Sequence, residues 1–186
     1  MGKNGCINSD YSKSSNAEIV KNIFTICREK KYTIATAESI TGGRIASEFT
    51  ALSGSSEVFM AGVVCYSEHS KVHSAGVDIR LIEKLGVYHK EIVAQMAERI
   101  AKRNVANIGI ATSGSADTGE VFFGFYIKHD NNTNVFRTTK SENILKTLVI
   151  TFSNDKNNVK KLTRNEIQNK ASIFALSYIL DLLQKI

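Results

Sequence analysis

The stretch Ala35-Thr36-Ala37-Glu38-Ser39-Ile40-Thr41-Gly42-Gly43 constrains the fold more than any other part of this 186-residue chain. An apolar segment, residues 32–37, runs into a polar knot, and the knot opens an amphipathic segment, residues 44–52. That is the order of a strand, a tight turn and a helix N-terminus. A strand that opens directly into a helix belongs to an α/β sheet. In such sheets the site lies outside the carboxyl ends of the strands. Two hydroxyls, a carboxylate and two glycines therefore meet where chemistry is expected.

The rest of the chain continues the alternation. Ser15-Asn16-Ala17-Glu18 has capping-box spacing, and Ile19, Ile23, Ile26 and Cys27 follow at helical intervals, which predicts a helix over 17–30. Residues 58–66 read as a buried strand, and Ser67 opens a short helix reaching 74. Asp78 caps a turn of helix over Leu81, Ile82 and Leu85, stopped by Gly86. Ile92, Met96 and Ile100 share one face of a helix over 89–104. A strand at 108–112 ends in a second knot, Ser113-Gly114-Ser115-Ala116-Asp117-Thr118-Gly119. Residues 121–129 and 134–139 flank Asp130-Asn131-Asn132-Thr133 as a hairpin, and 145–152 adds a strand. A loop at 153–158 leads to a long closing helix, 163–185, with Ile167, Ala171, Phe174, Leu176, Ile179 and Leu183 in its apolar set. This order predicts an α/β fold, a three-layer α/β/α sandwich with a mixed sheet, parallel first and antiparallel towards the end.

Composition narrows the function classes. A hydrophobic content of 42% supports a core, and no apolar run is long enough to span a membrane. Residues 1–15 are polar and lack the apolar centre of a signal peptide, so a disordered leader is expected before a single domain over 16–186. Cys6, Cys27 and Cys65 are odd in number and form no CxxC pair, which argues against a disulfide framework and for a reducing cytoplasm. The net charge of +6 and pI near 9.2 favour an anionic partner. Because the basic residues are scattered, a small phosphorylated molecule is expected rather than nucleic acid.

Three hydroxyl-rich turns follow strands: Glu38 to Gly43, Tyr66-Ser67-Glu68-His69-Ser70-Lys71, and Ser113 to Ala116. Parallel neighbouring strands would project all three from one sheet edge and gather Ser39, Thr41, Tyr66, Lys71 and Ser113. That set suits acyl transfer. A serine hydroxyl attacks poorly until a base takes its proton, and a desolvated lysine can be that base. A tyrosine can relay the proton or fix the lysine. Backbone N–H groups at 41–43, at a helix N-terminus, can bind a phosphate or an oxyanion. Each piece also has a plainer reading: Ser39 as an N-cap, Gly42-Gly43 as a turn, Lys71 as a surface lysine. Glu38 can accept backbone N–H bonds in its turn or pair with Lys71. His69 and His73 are four apart but have no evident third ligand, and Cys65 suits a buried structural thiol.

Ala37-Glu38-Ser39-Ile40-Thr41-Gly42-Gly43 resembles the signature of the CinA C-terminal domain family. Gly62-Val63-Val64-Cys65-Tyr66-Ser67 with Lys71, then Gly76-Val77, Val93-Ala94-Gln95-Met96-Ala97 and Phe174-Ala175-Leu176, are similar to the family's later landmarks in order. The resemblance covers residues 18–183. It implies an amidohydrolase that converts nicotinamide mononucleotide to nicotinate mononucleotide and ammonia. It makes Ser39 the nucleophile and Lys71 the general base, with Tyr66 in support. It places Glu38, Thr41, Gly42, Gly43, Ser113, Gly114 and Arg164 at the substrate. No cofactor and no metal are implied, and a homo-oligomer of two or three subunits is. The chain departs from the family pattern in three places. Asp117-Thr118 replaces a glycine-proline pair in the loop after Ser113. Lys156 and Arg164 compete for the position of the family's arginine, and Arg164 fits better by its distance to Ala175-Leu176. Ile40 stands where the family has a cysteine, which leaves serine as the nucleophile. The altered loop keeps two other readings open: a non-catalytic nucleotide-binding or regulatory protein, and a basic module linked to competence or DNA recombination.

Overall fold

Apolar strands that cannot be solvated line up at the centre of the chain, and helices cover both of their faces. The computed structural model describes residues 15–128, 143–152 and 162–186. Helix α1 (Asn16–Lys30) begins where the Ser15 side chain accepts the Glu18 N–H, and it ends at Lys31 in the left-handed region. Strand β1 (Ile34–Glu38) leads into helix α2 (Arg44–Thr50), and a 3-10 turn at Ser55–Glu57 precedes strand β2 (Phe59–Val64). Helices α3 (Glu68–His73), α4 (Ile79–Leu85) and α5 (Lys90–Arg103) follow. Strands β3 (Ile108–Gly114), β4 (Glu120–Ile127) and β5 (Ile144–Thr151) and helix α6 (Arg164–Leu183) complete the order.

The described strands form one sheet in the order β2-β1-β3-β4-β5. β1 lies parallel to both β2 and β3, whereas β3 with β4 and β4 with β5 are antiparallel. Two apolar clusters fill the two faces. One joins the sheet to α1, α2 and α6 through Ile23, Phe24, Phe49, Phe123, Phe125 and Leu176. The other joins it to α3, α4 and α5 through Ile82, Ile92, Met96, Ile100 and Ala111. The three-layer α/β/α sandwich with a mixed sheet is therefore the fold.

Two expectations need correction. The segment 58–66 was expected to be a buried strand. It is instead the edge strand β2, with Met60 50% and Val64 52% exposed. An apolar run does not tell an edge from a centre, because the count of hydrogen-bonded neighbours is a tertiary property. The second knot starts later than expected. Ser113 and Gly114 belong to the β3 ladder, paired with Phe122 and Val121, and the turn proper is residues 115–119. The expected strand at 134–139 and its hairpin turn lie outside the described residues, as does the leader up to residue 14. On its other side β4 pairs with β5, Glu120 facing Thr151 and Ile127 facing Ile144. No described helix is long and apolar enough to cross a membrane.

Candidate active site

β1 is the central member of the parallel set and ends at Glu38, so Ser39 emerges between the ends of β2 and β3. The Ser39 N–H still donates to Thr112 O of β3 at 2.9 Å, which fixes the backbone of the first residue past the strand. On the other side the Cys65 N–H donates to Glu38 O at 2.6 Å. The chain then turns at Ser67, whose side chain caps α3 in a reciprocal box with Ser70. This cap sends Lys71 back towards the sheet.

Lys71 Nζ donates to Ser39 Oγ at 3.0 Å and to Cys65 O at 3.0 Å. Lys71 is only 2% exposed. Burial, which penalises the ammonium, holds its pKa below the ordinary 10.5, and the Cys65 thiol and the Glu68 carboxylate oppose that shift only in part. Cys65 is buried, and burial pushes its thiol up to about 11, partly offset by Lys71. A thiol held protonated is a structural group. Glu38, Ser39, Lys71 and Cys65 thus close a ring: backbone bond, side-chain bond, side chain to carbonyl, and the chain itself.

Of the two readings open for Glu38, the structure shows the first: it accepts backbone N–H bonds in its turn. Its side chain is buried, and its Oε2 accepts the Thr41 hydroxyl at 2.7 Å, the Gly43 N–H at 3.0 Å and the Ile45 N–H at 3.1 Å. Its Oε1 accepts the Ala46 N–H at 2.8 Å and the Thr36 hydroxyl at 3.4 Å. The carboxylate fills the N-terminus of α2, which otherwise attracts an anion. The Gly42 N–H donates to Ser39 O at 3.2 Å. Thr41 is fully buried, and its hydroxyl also meets Thr112 Oγ1 at 2.8 Å. The Glu38 carboxylate, the Thr41 hydroxyl and the Gly42 and Gly43 N–H groups, expected at the substrate, thus hold the turn. The two glycines adopt φ of 62° and 90°, a consecutive left-handed pair that side chains resist.

Ser113 and Gly114 are likewise part of the support. Ser113 is fully buried and its hydroxyl donates to Val87 O at 3.1 Å, in the segment before α5. Gly114 lies where a Cβ would run into Glu120 O, so it allows β4 to approach. The Tyr66 hydroxyl is not bonded to Lys71, whose hydrogen-bond partners are Ser39 and Cys65. It accepts instead from Arg164 Nη1 at 3.4 Å. Arg164 is brought there by α6, which Arg44 ties to the turn through Thr41 O at 3.0 Å, Asn165 at 2.8 Å and Asn169 at 2.9 Å. Lys156, the competitor of Arg164, lies outside the described residues. His69 and His73 have ring centroids 4.1 Å apart, and among the described residues no group of three or more ligating side chains could hold a metal. Sequence reasoning missed the carbonyls of Cys65 and Val87. A carbonyl belongs to every residue type, so no motif could mark them.

The CinA C-terminal domain matches residues 16–183 of this chain. A CinA-like protein of Kosmotoga olearia is 33% identical over 175 residues, covering 87% of this chain and 35% of that protein. The chain thus spans about a third of the length of the curated relatives it matches. Among solved structures, the competence or damage-inducible protein from Enterobacter asburiae superposes with a TM-score of 0.75 at 24% identity, covering 92% of this chain and 99% of that one. The competence-damaged protein (CinA) superfamily protein from Enterobacter cloacae gives 0.75 at 22% identity, covering 98% and 99%.

Proposed function

This chain belongs to the CinA C-terminal domain family, and from that premise we propose that it is an amidohydrolase acting on the carboxamide of a pyridine nucleotide, with nicotinamide mononucleotide as the expected substrate. One observation carries the reading: a buried lysine amine 3.0 Å from a serine hydroxyl just past the end of β1. A structural lysine seldom accepts full burial with only a hydroxyl and a carbonyl for company, because neither offsets its charge. A catalytic lysine has a reason to do so, since desolvation makes it a base.

In the proposed reaction, neutral Lys71 takes the Ser39 proton as Oγ attacks the amide carbon. The carbonyl oxygen becomes an oxyanion. With the Gly42 and Gly43 N–H groups engaged elsewhere, we assign it to the Ile40 and Thr41 N–H groups, the first two amides after the nucleophile. The C–N bond breaks as the Lys71 ammonium returns its proton to nitrogen, and ammonia leaves. An ester on Ser39 remains. Water attacks it, Lys71 accepts the water proton and gives it back to Ser39 Oγ, and the carboxylate product departs.

The test is ammonia release from nicotinamide mononucleotide. The wild type is expected to release it, and Ser39→Ala and Lys71→Met to fall by ~10³-fold or more. Equal release from wild type and Ser39→Ala removes the serine mechanism.

A further inference from the structure

Tyr66, Arg164 and Asp117 form a run of contacts that the serine–lysine chemistry does not use. Arg164 Nη1 donates to the Tyr66 hydroxyl at 3.4 Å, and Arg164 Nη2 stands 3.8 Å from Asp117 Oδ1. Tyr66 lies just past the end of β2, and Asp117 lies in the turn after β3. β2 and β3 flank β1, whose end carries Ser39. The guanidinium therefore links the exits of the two flanking strands across the exit of the central one. The Arg164 side chain is 51% exposed and that of Asp117 85% exposed. An ion pair this long and this wet is weak, and a better anion displaces it.

We propose that Asp117 is a specificity-determining residue. It engages Arg164 and sets a negative charge beside it, so that the site holds the phosphate of an amide substrate more weakly than a neutral residue at 117 would allow, while an amide without the phosphate is unaffected. The inference rests on the amidohydrolase reading for its choice of ligands. Arginine's planar fork matches a phosphate with two parallel bonds. With Asp117 present, a phosphate must displace the carboxylate and then remain within a few ångströms of it. In a half-solvated setting that repulsion amounts to ~tenfold in affinity for a dianion. A neutral ribose end meets neither obstacle. The Asp117 N–H donates to Ser115 Oγ at 3.2 Å, and Arg164 is the partner of its carboxylate among the described residues. Asp117→Asn thus removes the charge and leaves both the turn and the Ser39–Lys71 pair in place.

Calorimetry at low salt, in the Ser39→Ala background so that no turnover intervenes, tests this with nicotinamide mononucleotide and nicotinamide riboside. Adding Asp117→Asn is expected to tighten the mononucleotide ~tenfold and to move the riboside by less than about twofold. Adding Arg164→Gln should abolish that gain. The assignment is overturned if Asp117→Asn moves both ligands alike, if it moves neither, if neither ligand binds, or if the gain persists without Arg164. The amidohydrolase reading fails separately: a wild type that binds the mononucleotide but releases no ammonia loses the reaction, while the binding ratios still decide the role of Asp117.

Discussion

Lys71 Nζ lies 3.0 Å from Ser39 Oγ, although 32 residues separate them in sequence. Burial lowers the lysine pKa from 10.5, and only the neutral amine can accept the serine proton. The kcat/KM for ammonia release should therefore rise with pH along a single limb whose midpoint lies below 10.5. In Lys71→Met that limb should vanish together with the activity. A pH–rate profile checks this, and a flat wild-type profile would contradict it.

The same burial makes a stability prediction with a definite sign. Between the lowered native pKa and 10.5 the unfolded chain binds a proton that the native chain does not. Wild-type stability must then rise with pH through that window. Lys71→Met has no such slope and no buried amine, so it should be more stable than wild type by about 1–2 kcal/mol near pH 6. The gap should narrow as pH approaches 10. Thermal melts across pH read it, and a gap independent of pH would show that Lys71 carries no such strain.

Glu38→Gln should cost about 2–3 kcal/mol, because an amide presents a donor where Thr41, Gly43, Ile45 and Ala46 all donate. Ser39→Ala, one residue on, should cost less than about 1 kcal/mol, since Ser39 Oγ bonds only to Lys71 among the described residues. Urea unfolding of the two variants separates a group that builds the turn from one that uses it. Equal losses would refute the division.

How much was legible follows from these residues. Periodicity and caps revealed the layers, because Ser15, Ser67 and Asp78 do cap the helices that follow them. The Ser39–Lys71 pairing could be read because each residue follows a strand, and parallel neighbours bring such turns to one edge. The work of Glu38 was open between two partners, and only the position of α2 over its carboxylate decides it. Ser113 appeared as a turn residue since its knot is continuously polar. A ladder bond to Phe122 and a hydroxyl bond to Val87 O depend on contacts that no local pattern encodes. The edge position of β2 was hidden for the same reason.

Helix α5 packs on the sheet through two glycines. A Cβ at Gly109 of β3 would land on Ala97 O, and one at Gly124 of β4 on Val93 O. Both obstacles are helix backbone, which cannot step aside as a side chain can. Gly109→Ala and Gly124→Ala should each lose about 3 kcal/mol or more, or fail to fold. Circular dichroism with urea unfolding tests this, and a loss below about 1 kcal/mol would show that α5 shifts freely.

Val105 has φ of 53° and is 89% exposed after the end of α5. A β-branched side chain in the left-handed region is strained, and so exposed a valine gains little by burial. Val105→Asn should raise stability by about 0.5–1 kcal/mol with activity unchanged. A thermal melt that falls instead would place a favourable contact there.

The carboxylate of Glu38 at the head of α2 bears on how such chains are to be compared. Selection for folding alone keeps Glu38, Thr41, Gly42 and Gly43, whatever becomes of turnover. A descendant that abandoned the reaction would still display nearly the whole signature, because losing it would unravel the turn. Ser39 and Lys71 owe the fold nothing and are free to drift once chemistry no longer matters. A pseudoenzyme of this shape is therefore recognised at those two positions and is invisible in the motif around them.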